Sequence, residues 1–186
     1  METEVSLVKR LGYIALKSFI FLVLFAILHF LYIHVSANPF FQAIAGTDES
    51  VFQHLKMGFL GYLFLIGLDY LIIRLIFREW EKNKESFVFS RLLTSLLVPW
   101  IIFIIWYLVP AFIGYELGFA RELSWALVVV FLTGMIATLI DENTEKIKFN
   151  LAIKIVIIAL VVVSIIIFMW FSFRLPWIDV FVLPHA

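Results

Sequence analysis

The stretch LAIKIVIIALVVVSIIIFMWFSF, Leu151 to Phe173, carries a single charged residue, Lys154. A helix needs about 20 mostly apolar residues to cross a bilayer, and this run has that length. It is rich in Ile and Val, which are poor helix formers in water. In lipid there is no water to satisfy the backbone, which must close its own hydrogen bonds, so the run reads as a membrane helix. Four further apolar runs precede it, at about 11–35, 51–77, 92–113 and 125–140. The expectation is therefore an all-α integral membrane bundle of about five transmembrane helices, forming a single membrane domain over 1–186. Pro99 and Pro110 are expected to kink or end the third helix. The fourth run is the shortest; it extends back through Leu123 or is met by a locally thinner bilayer.

Composition agrees with this class. The 186 residues are 64% hydrophobic and 15% charged, and the mean hydropathy is +1.08. A soluble domain is about 45–50% apolar, and a small one needs polar residues to cover its large relative surface. So low a charge content argues against disorder and nucleic-acid binding. The expected partners are the lipid bilayer and other membrane subunits. The absence of cysteine excludes disulfides, thiolate metal sites and a cysteine nucleophile. The apolar run after Lys9 and Arg10 is too long for the core of a cleaved signal peptide, and is expected to remain as a signal anchor.

Lys and Arg near the span ends set the orientation. They gather at the start (Lys9, Arg10), in the second connection (Arg74, Arg78, Lys82, Lys84, Arg91) and in the fourth (Lys146, Lys148). The first connection has none and the third only Arg121. This alternation predicts a multi-pass protein of the cell membrane with its N-terminus inside and its C-terminus outside. Arg74 to Arg91 alternates with acids and reads as a solvated loop or short surface helix.

Polar residues inside the spans fall into two groups. Lys17 lies six residues into the first span and Asp69 eight residues before the end of the second. Both sit roughly 9–12 Å below one boundary, where antiparallel neighbours can pair them. An intramembrane ion pair between Lys17 and Asp69 that orients the two helices is the leading reading. The alternatives are part of a proton or ion path and snorkelling to the headgroups.

The second group lies near the opposite boundary. His29 is six residues before Val35, His54 is about one turn into the second span, and Glu49 lies close in sequence. Arg174, Asp179 and His185 are expected to return to the same face. His29, Glu49 and His54 form a candidate set for a divalent metal, since zinc accepts imidazole and carboxylate ligands. Axial haem ligation by the two histidines is the weaker cofactor reading. Hydrogen-bonded structural histidines are the leading reading over both. A metal-binding helix usually shows histidines at i and i+4, and on one ideal helix Glu49 and His54 would point about 140° apart. Ser50 and Gln53 have capping-box spacing, and Asp48 and Glu49 favour a helix N-terminus. Phe40 to Ile44 reads as a short amphipathic turn at the interface. Gly58, Gly61 and Gly67 form no GxxxG pair, so no dimer face is evident.

His29-Phe30-Leu31-Tyr32, followed by Asp48-Glu49-Ser50-Val51-Phe52-Gln53-His54-Leu55-Lys56, resembles the pattern of a family of small uncharacterised prokaryotic multi-pass membrane proteins. That pattern reads His-Phe-Leu-Tyr, then Asn-Glu-Ser-Val-aromatic-Glu-His-Leu-Lys. It ends in an aromatic, proline-containing tail similar to Phe171–Pro184. Glu49 and His54 match it. Asp48 stands in place of Asn and Gln53 in place of Glu, so any ligand or proton-carrier role of that Glu is lost here. The resemblance implies no activity.

From the sequence, a structural or accessory subunit or scaffold is the leading function. The first alternative is a metal-dependent membrane enzyme with its site at the outer ends of the first two spans. The second is a small transporter or channel using Lys17 and Asp69, although five spans without an inverted repeat are unusual in that class.

Overall fold

The computed structural model describes residues 2–72, 84–114, 118–178 and 180. Six helices follow in order: α1 (Glu2–His34), α2 (Pro39–Ile44), α3 (Val51–Ile72), α4 (Lys84–Ile113), α5 (Phe119–Thr144) and α6 (Leu151–Phe173). All but the short α2 are long and apolar enough to cross a membrane. Among the described residues there is no strand.

Local chemistry explains the helix ends. Asn38 caps α2 by accepting from the Phe41 amide at 3.0 Å. Pro39 follows at a first-turn position that needs no amide donor. Asn150 caps α6 by accepting from the Ile153 amide at 2.9 Å. Gly114, at φ 74°, closes α4 in the left-handed conformation that glycine adopts without strain.

The prolines do not end α4 where the sequence suggested. The helix runs through Pro99 and Pro110 to Ile113. Pro110 has no amide to offer the carbonyl one turn earlier, that of Trp106. The Trp125 indole Nε1 of α5 donates to that carbonyl at 3.1 Å. A neighbouring helix thus satisfies the group that proline frees, as a low-dielectric environment requires.

Helices α1, α3, α4 and α5 close a ring in which α1 meets α3 and α5, and α4 meets α3 and α5. Helix α6 lies outside the ring against α4 and α2. Over half of the apolar window of α3 is enclosed (56%), against 11% for α6. The aromatic centre is Phe21, Phe25, Phe59 and Tyr62, all buried, with the Phe21 and Tyr62 rings edge to face at 5.5 Å. Helices α1 and α5 approach closely at Gly134. A Cβ built on Gly134 would lie 2.8 Å from the Ser18 Cα. Small residues that admit such contact are how helices associate in lipid, where burial alone gives little drive.

Two other expectations change. Helix α4 starts at Lys84, so Arg91 is inside the bundle and 2% exposed rather than in a solvated loop. The Ser50–Gln53 capping box is only half formed. The Ser50 hydroxyl accepts from the Gln53 amide at 3.4 Å, but the Gln53 side chain donates to Thr47 Oγ1 at 2.8 Å. The Ser50 amide is taken instead by Asp48 Oδ1 at 2.8 Å. Arg74, Arg78, Lys82, Asp179, His185 and the tail from 181 onward lie outside the described residues.

Candidate metal centre and the buried ion network

The bundle carries a polar cluster towards each end. At one end Lys17 of α1 donates to Asp69 of α3 at 2.7 Å and to Asp141 of α5 at 2.6 Å. The structure thus brings Lys17 and Asp69 together and adds a second carboxylate. Arg91 of α4 reaches Asp69 through Nε at 2.7 Å and Glu145 through Nη1 at 2.7 Å. The Tyr13 hydroxyl donates to Asp69 at 2.6 Å and the Tyr62 hydroxyl to Asp141 at 2.5 Å. Every helix of the ring contributes, and charges alternate in sign from Glu145 through Arg91, Asp69 and Lys17 to Asp141. Ions of this kind are costly to bury unless each finds a partner of opposite charge with good geometry. Here Asp69 is saturated by three donors.

The sequence reading paired Lys17 with Asp69 by depth but missed Tyr13, Tyr62, Arg91 and Asp141. Arg91 and Asp141 sit one residue outside the apolar runs 92–113 and 125–140, where hydropathy stops. The helices continue past them, α4 starting seven residues before Arg91 and α5 ending three residues after Asp141.

At the other end His29 projects from α1 and His54 from the first turn of α3. Glu49 is not on a helix with His54. It lies in the irregular segment before Val51, so the 140° divergence of an ideal helix does not apply. The chain bends it back between the two imidazoles. His29 Nε2 lies 3.4 Å from Glu49 Oε1, and His54 Nε2 lies 3.5 Å from Glu49 Oε2. One ligand atom from each residue falls within a 4.8 Å radius of the others.

These spacings are those of ion pairs if the imidazoles are protonated, and they can also be set against the edge of a metal site. An N–H···O hydrogen bond runs 2.7–3.2 Å, so both contacts are long for one. Two donors bound tetrahedrally to zinc, with bonds of about 2.0–2.2 Å, are separated by about 3.4 Å. The observed spacings match that edge.

Of the two histidines, His54 has the support that a ligand needs. His54 Nδ1 lies 2.9 Å from the Ser50 carbonyl, which can only accept. Nδ1 therefore donates to that carbonyl, and Nε2 is the ring nitrogen turned towards Glu49. A carbonyl fixing the tautomer of a histidine in this way is the usual support of a metal ligand. The ring is stacked between Phe25, centroids 6.2 Å apart, and Trp106, at 6.5 Å. His29 sits edge-on to Phe30 at 4.8 Å. His29 Nδ1 is buried and, among the described residues, has no hydrogen-bond partner. The imidazoles are about a quarter exposed and the Glu49 carboxylate 62% exposed, so the cluster opens to its surroundings on the Glu49 side.

Of the other polar groups expected here, Arg174 ends α6, its guanidinium 5.2 Å from the Trp170 ring. Phe40 to Ile44 forms the body of helix α2, which packs on α6.

Residues 2–183 match DUF6512, a family of unknown function, and the chain belongs to that family. No curated protein and no solved structure matches the chain.

Proposed function

We propose that this DUF6512 member is a multi-pass protein of the cell membrane that holds a divalent transition metal through His29, Glu49 and His54, at the outward-facing ends of α1 and α3. The distribution of Lys and Arg supports the sidedness, with the ion network towards the cytoplasm and the histidines outside. The observation that carries the metal reading is the pair of spacings, 3.4 and 3.5 Å, between each Nε2 and a Glu49 oxygen. Two imidazoles and one carboxylate suit zinc or ferrous iron. Three protein ligands leave a coordination position for water or substrate, the arrangement of catalytic rather than structural zinc sites. The sequence by itself favoured an accessory subunit or scaffold; convergence of the three side chains moves the preference to a metal-dependent protein, with metal-activated water as its chemistry.

A structural role in a larger complex is the second reading. The ion network that ties all four ring helices into one frame supports it. Metal content separates the two. Detergent-purified protein, stripped and then reloaded with Zn²⁺ or Fe²⁺, is expected to retain about one ion per chain, and His54→Ala to retain none. Equal metal content in wild type and His54→Ala would contradict the metal reading and leave the subunit reading standing.

A further inference from the structure

Lys56 is a fully buried cation in α3, two residues from His54, with the Asp48 carboxylate near enough to act on it electrostatically. Its ammonium donates to the Gln42 carbonyl of α2 at 3.0 Å and to the Ser172 hydroxyl of α6 at 2.8 Å. Both acceptors are uncharged. A lysine within an apolar span costs several kcal/mol, so leucine or methionine would serve better if packing were all that was needed.

What this side chain does is fix the segment that carries Glu49. That segment is pinned on both sides. Ahead of Glu49, α2 is fastened by Lys56 to α3, and the Gln42 amide donates to the Ser172 carbonyl of α6 at 2.9 Å. The chain then lies flat on α1 and α3. The Gly46 amide donates to the Leu28 carbonyl at 3.0 Å, and a Cβ on Gly46 would meet Met57 Sδ at 2.7 Å. After that, Gln53 holds Thr47, and Asp48 accepts from the Ser50 amide. His29 and His54 need no such help, because each sits on a long helix. Glu49 is the member of the set that no helix carries, 62% exposed on an irregular segment.

We infer that Lys56 is a positioning residue for the metal centre: by tying α2 to α3 and α6 it holds Glu49 between the two histidines. This rests on the metal reading proposed above. Supporting residues of this kind typically change metal affinity by about 10–100-fold. The test is a double-mutant cycle on full-length protein in detergent, read as Zn²⁺ affinity by competition with a chromogenic chelator. Lys56→Met is expected to weaken Zn²⁺ binding by about 10-fold or more in the wild-type background. In a Glu49→Gln background the same substitution is expected to change affinity by less than about threefold, because the residue it positions no longer contributes as a carboxylate ligand. A merely structural role would weaken binding by the same factor in both backgrounds. Ser172→Ala, which removes one acceptor and leaves the lysine in place, is a milder variant should Lys56→Met fail to fold. It is expected to show a smaller loss that also disappears with Glu49→Gln. Losses that multiply in either cycle, or unchanged affinity in both single variants, would overturn the inference while leaving the metal site intact. A wild-type protein that binds no Zn²⁺ would instead remove the metal reading itself, and the positioning role with it.

Discussion

The two polar ends of the bundle obey different rules. At the ion-network end Lys17, Asp69, Arg91 and Asp141 are at most 2% exposed, and their ionic contacts are 2.6–2.7 Å long. At the histidine end the side chains are 21–62% exposed, and the contacts to Glu49 are 3.4 and 3.5 Å. Short contacts among buried opposite charges leave little capacity for a ligand, with Asp141 Oδ1 the one carboxylate oxygen there that is buried without a hydrogen-bond partner among the described residues. The longer contacts at the histidine end, on a more open face, are looser. The first end holds the helices together; the proposed metal centre lies at the second.

The largest effect is expected from Asp69→Asn. It takes the full negative charge away from both Lys17 and Arg91, and breaking a buried ion pair on one side costs about 3–5 kcal/mol. Unfolding in detergent, followed by circular dichroism, checks this, and Zn²⁺ binding by the folded fraction is expected to be unchanged. A cost below about 1 kcal/mol would mean that water or lipid headgroups solvate the cluster. A smaller loss, about 1–3 kcal/mol, is expected from Gly134→Val, because the added side chain forces α1 and α5 apart at Ser18. The smallest effect on the metal-free protein is expected at the histidine end. His54→Ala is expected to shift metal-free stability by about 1 kcal/mol or less, since the ring is only partly enclosed. The same variant is expected to lose the rise in Tm that Zn²⁺ gives the wild type, because a ligand that binds only the folded state stabilises it. A large metal-free loss in His54→Ala would erase the contrast between the two ends.

Much of this contrast was legible in the sequence, and the gaps have physical causes. Counting residues from the span ends put Lys17 level with Asp69 and His29 level with His54, because helical rise is uniform. Arg91 and Asp141 escaped because an apolar run ends at its first charge, whereas a helix whose charge is neutralised by a neighbour does not. The second span was expected to begin at Val51, and α3 does. The angle between Glu49 and His54 was reckoned on an ideal helix, whereas Glu49 lies ahead of it, in the turn in which Asp48 accepts from the Ser50 amide. Pro110 was expected to interrupt its helix. Nothing in the local sequence shows that Trp125, from another helix, will take the carbonyl it frees. Contacts between distant residues decided each of these cases, and hydropathy does not encode them.

The central claim is that His29, Glu49 and His54 act as one ligand set. X-ray absorption at the zinc edge on Zn²⁺-loaded protein tests it most directly. The account predicts a four-coordinate light-atom shell with imidazole scattering from two histidines, at bonds of about 2.0–2.2 Å, and loss of one imidazole in His29→Ala. A six-oxygen shell without imidazole scattering, unchanged in His29→Ala, would show adventitious zinc and contradict it.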